Sequence, residues 1–599
     1  MPVLSQYDWI LAIISIAFCV SSFCNGANDV ANSYATSVAA RSLTMPQVGV
    51  LSMITEFFGA VALGSRVTGT IKNNIIDITR FKDSPAVLML AMGCTEIGSA
   101  AWLFTATRLG FPVSTTQTVV GALVGVGIAS RTQVSWGWKD GSVSQVAASW
   151  GIAPLISAAF AAILFATLKY GVLERSDPFK NAMRAIPWYL AFTGAVLALF
   201  ITVEAPGAPS LDELGVGTAV GIVLGAFFGC LAVAYLFFVP YFHRRLVKQD
   251  TRVRPWHIIL GPLLWRENPP LYFPGKGDDV VIDYYETSHD GFDAVADSDL
   301  EKQKLEGSAA ATAATAPTAA NEQGALDPSQ PTGVQREETT PPTTALDAEA
   351  RAATAAPGSD VKIRRPKRVP EPEERWLAPN RHLPVFHPQR LLGYAKYVAL
   401  QGLSRDCVTH SSLALAEVHA RAKKYDNRVE HLWTYAQIAS AMMMSIAHGS
   451  NDVANAVGPW VAAYGTWQTG AVTSKTDTPV WILVIAGFLL GIGFCVFGYH
   501  IIRSLGNKIT QLSPTRGYAM ELGSAITVLL ASRLGLPVST TQCLTGAVFG
   551  VALMGYDFSA VNWRQLGFIF IGWVLTLPSA GLIAGLLMVM SLNTPHFTP

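Results

Sequence analysis

The chain is poor in charge. Only 14% of its 599 residues are Asp, Glu, Lys or Arg, whereas soluble globular proteins carry about 25%. That excludes a soluble multi-domain enzyme. The net charge is +1, so the excess of basic residues that neutralises nucleic-acid phosphates is missing too, and no nucleic-acid partner is expected. Cysteine is scarce: Cys19, Cys24, Cys94, Cys230, Cys407, Cys495 and Cys543, an odd number without a Cys-x-x-Cys pair. Neither a disulfide framework nor a zinc site follows from it. No nucleophile–base constellation or phosphate-binding loop motif is present. The chain is not expected to be an enzyme or to carry a cofactor.

Apolar residues are abundant, at 50% with a mean hydropathy of +0.34, and the charges that exist are concentrated. Of the 85 acidic and basic side chains, 51 fall between Tyr241 and Leu432. Two apolar blocks, 1–240 and 433–599, therefore flank a hydrophilic insert, 241–432. A membrane-crossing helix needs about 20 mostly apolar residues. The first block offers seven such segments, near 9–27, 45–65, 85–107, 112–130, 147–171, 187–204 and 215–240. The second offers five, near 433–463, 480–502, 515–533, 537–556 and 565–591. The expected fold is an all-α integral membrane protein with about twelve transmembrane segments, some of them possible re-entrant hairpins.

Met1 to Asp8 contain no Lys or Arg, so the first apolar helix lacks the basic start of a signal peptide. The insert opens with His243-Arg244-Arg245 and closes with Arg421, Lys423, Lys424 and Arg428. Basic residues at span ends face the cytoplasm. The expected topology puts the insert inside and both termini outside. Within the insert, disorder is expected around 275–385, most of all over the Ala/Thr/Pro/Glu-rich stretch Gly307 to Pro357. The stretch Pro388 to Glu430 reads as amphipathic and suited to a membrane face.

The two blocks repeat one another. Asn25-Gly26-Ala27-Asn28-Asp29-Val30-Ala31-Asn32 matches His448-Gly449-Ser450-Asn451-Asp452-Val453-Ala454-Asn455, and Glu96 matches Glu521. Residues 106–126 and 531–551 share 14 of 21 positions, including Pro-Val-Ser-Thr-Thr-Gln in both. With an odd number of crossings between copies, the second runs opposite to the first. Inverted repeats of this kind build transporters whose site lies at the midplane between the copies.

Each motif suggests a chemistry. Pro followed by Ser-Thr-Thr fits a helix start. A helix start inside a membrane presents free N–H groups and the positive dipole end, to which hydroxyls add further donors. Ser114, Thr115, Thr116, Ser539, Thr540 and Thr541 could thus converge on one tetrahedral oxyanion such as phosphate. A carboxylate inside a membrane costs about 2.5–3.5 kcal/mol on insertion scales, yet Asp29 and Asp452 recur at the same point of both copies. With Asn28, Asn32, Asn451 and Asn455 they offer oxygen ligands for a hard cation such as Na⁺. Gly26 and Gly449 before them suggest helices broken there, with free carbonyls. Glu96 and Glu521 are a second acid pair, able to bind cations or carry protons. Arg108 and Arg533 read as interface anchors. Co-bound cations would offset an anion's charge, which otherwise opposes uptake at negative potential by about 2.3 kcal/mol per charge per 100 mV.

These paired motifs resemble the inorganic phosphate transporter family over residues 7–240 and 433–592. The long loop is most like that of fungal plasma-membrane sodium–phosphate symporters. The resemblance implies phosphate on the Ser-Thr-Thr positions, sodium on the Asn-Asp positions, and a homodimer. Two departures stand out: Cys543 where the first copy has Thr118, and His448 where it has Asn25. The expected function is Na⁺-coupled phosphate import across the plasma membrane. The alternatives are a proton-coupled phosphate or sulfate carrier, which His448 and the Glu pair keep open, and a phosphate sensor or receptor with little flux, suggested only by the insert.

Overall fold

A computed structural model describes residues 2–64, 75–138, 142–204, 215–277, 279–287, 363–364, 369–410, 412–472, 478–534, 536, 538–555 and 558–594. The first block contains α1 (Asp8–Ala39), α2 (Met45–Leu63), α3 (Pro85–Leu109), α4 (Thr115–Ala129), α5 (Val143–Leu168), α6 (Pro178–Glu204) and α7 (Val216–Val233). Two shorter helices follow in the insert, α8 (Pro388–Ser404) and α9 (Leu413–Arg421). The second block contains α10 (Asn427–Thr469), α11 (Val480–Phe497), the short α12 (Tyr499–Leu505), α13 (Pro514–Arg533), α14 (Thr540–Leu553) and α15 (Trp563–Asn593). All twelve anticipated segments are helical. Among the described residues the strands are β1 (Val281–Ile282) and β2 (Ile363–Arg364), paired in parallel. Most of the stretch expected to be disordered lies outside the described residues. Its flanks do not: Val280, Val281, Tyr284 and Tyr285 are buried.

Among the described residues, eight helices are long and apolar enough to cross a membrane. The others explain the site. With 15 and 14 residues, α4 and α14 rise about 21–23 Å, less than the hydrocarbon thickness of about 30 Å. Each is a half-helix, joined to its full-length predecessor, α3 or α13, by a few non-helical residues. α10 and α13 are too polar to register by hydropathy and are shielded by their neighbours: Trp433, Met444, Trp460, Tyr518 and Glu521 are all buried.

The inversion can be followed contact by contact. Gly93 of α3 lies against Ile14, and Asn28 reaches Thr107, so α3 runs parallel to α1. Thr515 at the start of α13 donates to Glu430, and Glu521 further along accepts from Gln437 and Ser440, so α13 runs parallel to α10. α1 and α10 are themselves antiparallel, with Trp460 on Ser15 and Asn25 on the carbonyl of Asp452. The two copies therefore point in opposite directions. If each α3–α4 and α13–α14 pair enters and leaves by one face, both blocks lose two crossings and the odd parity survives.

One sequence expectation fails. Gly26 and Gly449 do not break their helices: α1 is continuous over 32 residues and α10 over 43. The glycines are there for close approach. A Cβ on Gly26 would lie 1.9 Å from the carbonyl oxygen of Leu490 on α11, and one on Gly449 would lie 2.7 Å from that of Glu56 on α2. Backbone contact at this range lets the polar faces of α1 and α10 sit deep in the bundle. The breaks lie instead at the starts of α4 and α14.

Candidate functional site

The half-helix starts are built by their own sequence. Ser114 and Ser539 sit in the extended N-cap conformation. The Oγ of Ser114 accepts the Gln117 N–H at 3.1 Å, and that of Ser539 accepts the Gln542 N–H at 3.3 Å. Each cap satisfies one of the orphan donors at a helix start. Asn28 braces the first break: its amide donates to Thr107 Oγ1 and the Phe111 carbonyl, while its oxygen accepts the Val113 N–H. Asn451 donates to the Val538 carbonyl.

Each aspartate then meets the start of its own half-helix. Asp29 Oδ2 accepts both the N–H and the Oγ1 of Thr115, at 3.1 and 2.7 Å. Thr540 donates to Asp452 Oδ2 at 3.1 Å. The copies also interlock. Asn32 donates to Thr541 Oγ1 at 2.8 Å and Asn455 to Thr115 Oγ1 at 2.9 Å; weaker contacts join Asn32 to Thr540 and Asn455 to Thr116. Thr541 lies 3.0 Å from Asp29 Oδ1. Asp29, Asp452 and His448 offer ligand atoms all within 4.8 Å of one another, and all three are buried. Two buried carboxylates at this separation require compensating positive charge.

Further oxygens on the same elements are unused. The side-chain oxygens of Asn32, Asn451, Gln117 and Gln542 are buried without a hydrogen-bond partner. Gln117 and Gln542 were not singled out in the sequence. Their place in both copies of Ser-Thr-Thr-Gln was the signal available.

The two glutamates have diverged. Glu521 accepts from Thr36, Ser37, Ser440 and Gln437 at 2.5, 2.6, 2.7 and 3.2 Å. Glu96 is buried with the Ser21 hydroxyl beside it, but it lacks the close set of donors that surrounds Glu521. The repeat explains the contrast: the positions equivalent to those four donors are Pro459, Trp460, Ala17 and Ile14. Sequence reasoning also missed Glu56. It is fully buried, accepts from Ser445 at 2.5 Å, and lies 2.7 Å from His448 Nδ1, while His448 Nε2 lies 2.9 Å from Asp452. The contacts that Gly26 makes with Leu490 and Gly449 with Glu56 place these two at equivalent points. The second copy thus has apolar Leu490 where the first has an acid, and the first has neutral Asn25 where the second has His448. The Glu56–His448 pair is an asymmetry between otherwise matched halves.

A site of paired hydroxyl-bearing helix starts, buried carboxylates and unused amide oxygens suits an oxyanion and a cation together. Residues 25–584 match the model of the phosphate transporter family. The chain belongs to this family. Among its relatives, the phosphate-repressible phosphate permease pho-4 of Neurospora crassa is 38% identical, covering 99% of each chain. The sodium-dependent phosphate transporter 1-B of Danio rerio is 30% identical over 98% of this chain and 96% of its own. A solved structure titled "The sodium-dependent phosphate transporter" has the same fold, with a TM-score of 0.60 at 23% identity over 98% of this chain. As a phosphate transporter family member the protein is a membrane carrier and not an enzyme. The all-helical membrane fold read from the sequence is the fold this neighbour shares.

Proposed function

We propose that this family member is a secondary active symporter that imports inorganic phosphate with Na⁺ across the plasma membrane. The observation that carries the proposal is the Asp–Thr contact at each half-helix start. The hydroxyls of Thr115 and Thr540, which would donate to a phosphate oxygen, donate here to Asp29 and Asp452. Carboxylate and phosphate compete for the same donors. A Na⁺ ion on Asp29 or Asp452, with oxygens from Asn32, Asn455, Asn451 and the two glutamines, would satisfy the carboxylate and release those hydroxyls. Sodium binding then creates the phosphate site, with Ser114, Thr116, Ser539 and Thr541 completing it. Asn28, whose oxygen accepts from Val113, holds the break in place beside it. Glu521, with its four donors, and Glu96, with Ser21 beside it, are further candidate cation sites. Sodium-dependent phosphate transport in the names of relatives supports the choice of ions. An inside position for the insert, with outside termini, follows from its basic ends.

His448 favours a second reading. With carboxylates at both ring nitrogens, only the imidazolium can donate to both. Protonation at His448 could therefore take the place of a sodium ion beside Asp452.

Radiolabelled phosphate influx into vesicles of purified protein separates the two. Uptake driven by an inward Na⁺ gradient and lost when choline replaces Na⁺ at every pH supports sodium symport. Uptake that persists in choline and follows an imposed pH gradient supports the proton reading.

A further inference from the structure

A cavity with a volume of about 810 Å³ lies away from the transport site, on the insert's side of the bundle. Its walls come from the end of α1 (Val38, Arg41), the start of α2 (Leu43, Thr44, Met45, Pro46), and the insert. They are mostly apolar but carry three arginines, Arg41, Arg375 and Arg405. Arg41 donates to the Glu286 carbonyl, and its Nε has no partner. Arg405 pairs with Glu371 and Glu373. Arg375 is exposed, stacks on Trp376, and has no carboxylate partner among the described residues. The acid in the wall, Asp406, accepts from the Val408 N–H and from Thr409, and together with Glu286 and Asp283 it lies within electrostatic reach of Arg41, so Arg375 is the cation of the wall that faces outward without an acid partner among the described residues.

The surroundings set this cavity beside the end of a helix apolar enough to cross a membrane, where head groups would lie. Leu400, Leu403 and Ser404 of its wall belong to α8. The last turn of α8 lies against the end of the membrane-crossing helix α11, where a Cβ on Gly402 would lie 2.2 Å from the Cys495 carbonyl oxygen. One face of α8 packs inward: Gly393 lies on the Trp376 carbonyl, and Tyr397 donates to Glu373. At 100° per residue the opposite arc holds Leu391, Ala395, Val398 and Ala399, flanked by Leu392 and Tyr394. Leu391, Leu392, Tyr394 and Val398 are exposed. This exposed apolar arc lies on the helix that meets the end of α11, itself long and apolar enough to cross a membrane, and its composition suits contact with lipid tails.

We infer that the cavity binds one anionic glycerophospholipid. An acyl chain would lie along Leu43, Met45, Pro46, Leu400 and Leu403, and the head-group phosphate would meet Arg41 and Arg375. An apolar trough ending in arginines at the membrane surface matches an amphiphile with one negative end. A fully solvated anion would gain nothing from the trough. The site is independent of the transported ions, so it stands whichever cation drives transport.

Native mass spectrometry of the full-length purified protein in detergent, mixed with dioleoylphosphatidylserine or dioleoylphosphatidylcholine, tests this. One phosphatidylserine should be retained per chain in clear preference to phosphatidylcholine. Arg375→Gln alters an exposed side chain and should keep the fold, but should weaken retention about tenfold, the effect of one lost ionic hydrogen bond. Leu400→Trp, which narrows the trough, should weaken it as well. Glycerol 3-phosphate in excess should not displace the lipid. Equal retention of the two lipids, or retention unchanged in both variants, overturns the inference. Displacement by glycerol 3-phosphate would reduce the site to a bare anion site and also overturn it. Stronger retention after deletion of 307–357 would identify the insert itself as the occupant, with the same consequence.

Discussion

Ser114 and Ser539 each have a structural duty, the cap on their half-helix, and a proposed duty toward phosphate. The two can be separated. Alanine removes both hydroxyl and cap, costing about 0.5–2 kcal/mol of stability. Glycine removes the hydroxyl but restores most of the cap, losing only a few tenths. If the hydroxyl meets phosphate, Ser114→Gly and Ser539→Gly should raise the half-saturating phosphate concentration about tenfold or more, as the alanine variants should, but with near-normal thermal stability. Transport kinetics and melting temperature on the same preparations decide it. Near-normal kinetics in the glycine variants would leave these serines as caps alone. The equivalent residues in the two halves also show what a single sequence discloses. Asp29 and Asp452 were legible because they repeat. Glu56 was not, because its partner His448 is 392 positions away and its counterpart is Leu490.

At the level of the helices, the half-helices are held by glycine. A Cβ on Gly125 of α4 would lie 2.0 Å from the Gly581 carbonyl oxygen of α15, and one on Gly550 of α14 would lie 2.2 Å from that of Ala158 on α5. Neither backbone can yield without moving the half-helix start. Gly125→Ala and Gly550→Ala should therefore lose most folded protein in detergent size-exclusion profiles. Gly221→Ala and Gly225→Ala in α7, where nothing lies within 4 Å, should fold normally or gain about 0.5–1 kcal/mol from better helix propensity. Equal behaviour of the two pairs would mean that the half-helices are not tightly seated. The element count, the duplication and the helix starts at Ser114 and Ser539 could all be read from apolar run lengths and capping chemistry. The continuity of α1 and α10 through Gly26 and Gly449 could not. A glycine that breaks a helix and one that admits a neighbour's carbonyl look alike in one sequence. Only the partner helix, placed by long-range packing, distinguishes them.

At the scale of the whole molecule, the insert is fastened to the bundle as well as tethered to it. Tyr285 donates to Glu430 at the start of α10, and Glu430 in turn accepts the Thr515 N–H at the start of α13. His419 of α9 sits with its Nε2 2.6 Å from the Asn507 carbonyl and its Nδ1 3.0 Å from Thr287. Burial pushes the His419 pKa down to about 4, partly countered by the contact with Asn507. A histidine with a depressed folded pKa takes up its proton more readily when unfolded. Its share of the docking energy is complete above about 6.5, the unperturbed value, and is lost as the pH falls from there toward about 4. Hydrogen exchange over 413–421 should therefore quicken on acidification across that window, and His419→Gln should flatten the dependence. An exchange rate in the wild type that does not change with pH, after correction for intrinsic chemistry, would contradict it.

The proposed coupling would involve both halves of the molecule, because each carboxylate accepts from the start of its own half-helix. Equilibrium binding of radiolabelled phosphate to purified protein, titrated with NaCl at constant ionic strength, measures this without transport. The wild type should bind phosphate weakly in choline and progressively tighter as Na⁺ rises. Asp29→Asn and Asp452→Asn, which keep the shape and remove the charge, should bind phosphate with little response to Na⁺ while remaining folded. Phosphate binding of equal strength with and without Na⁺ in the wild type, or an unaltered Na⁺ dependence in both variants, would show that the carboxylates do not gate the phosphate site.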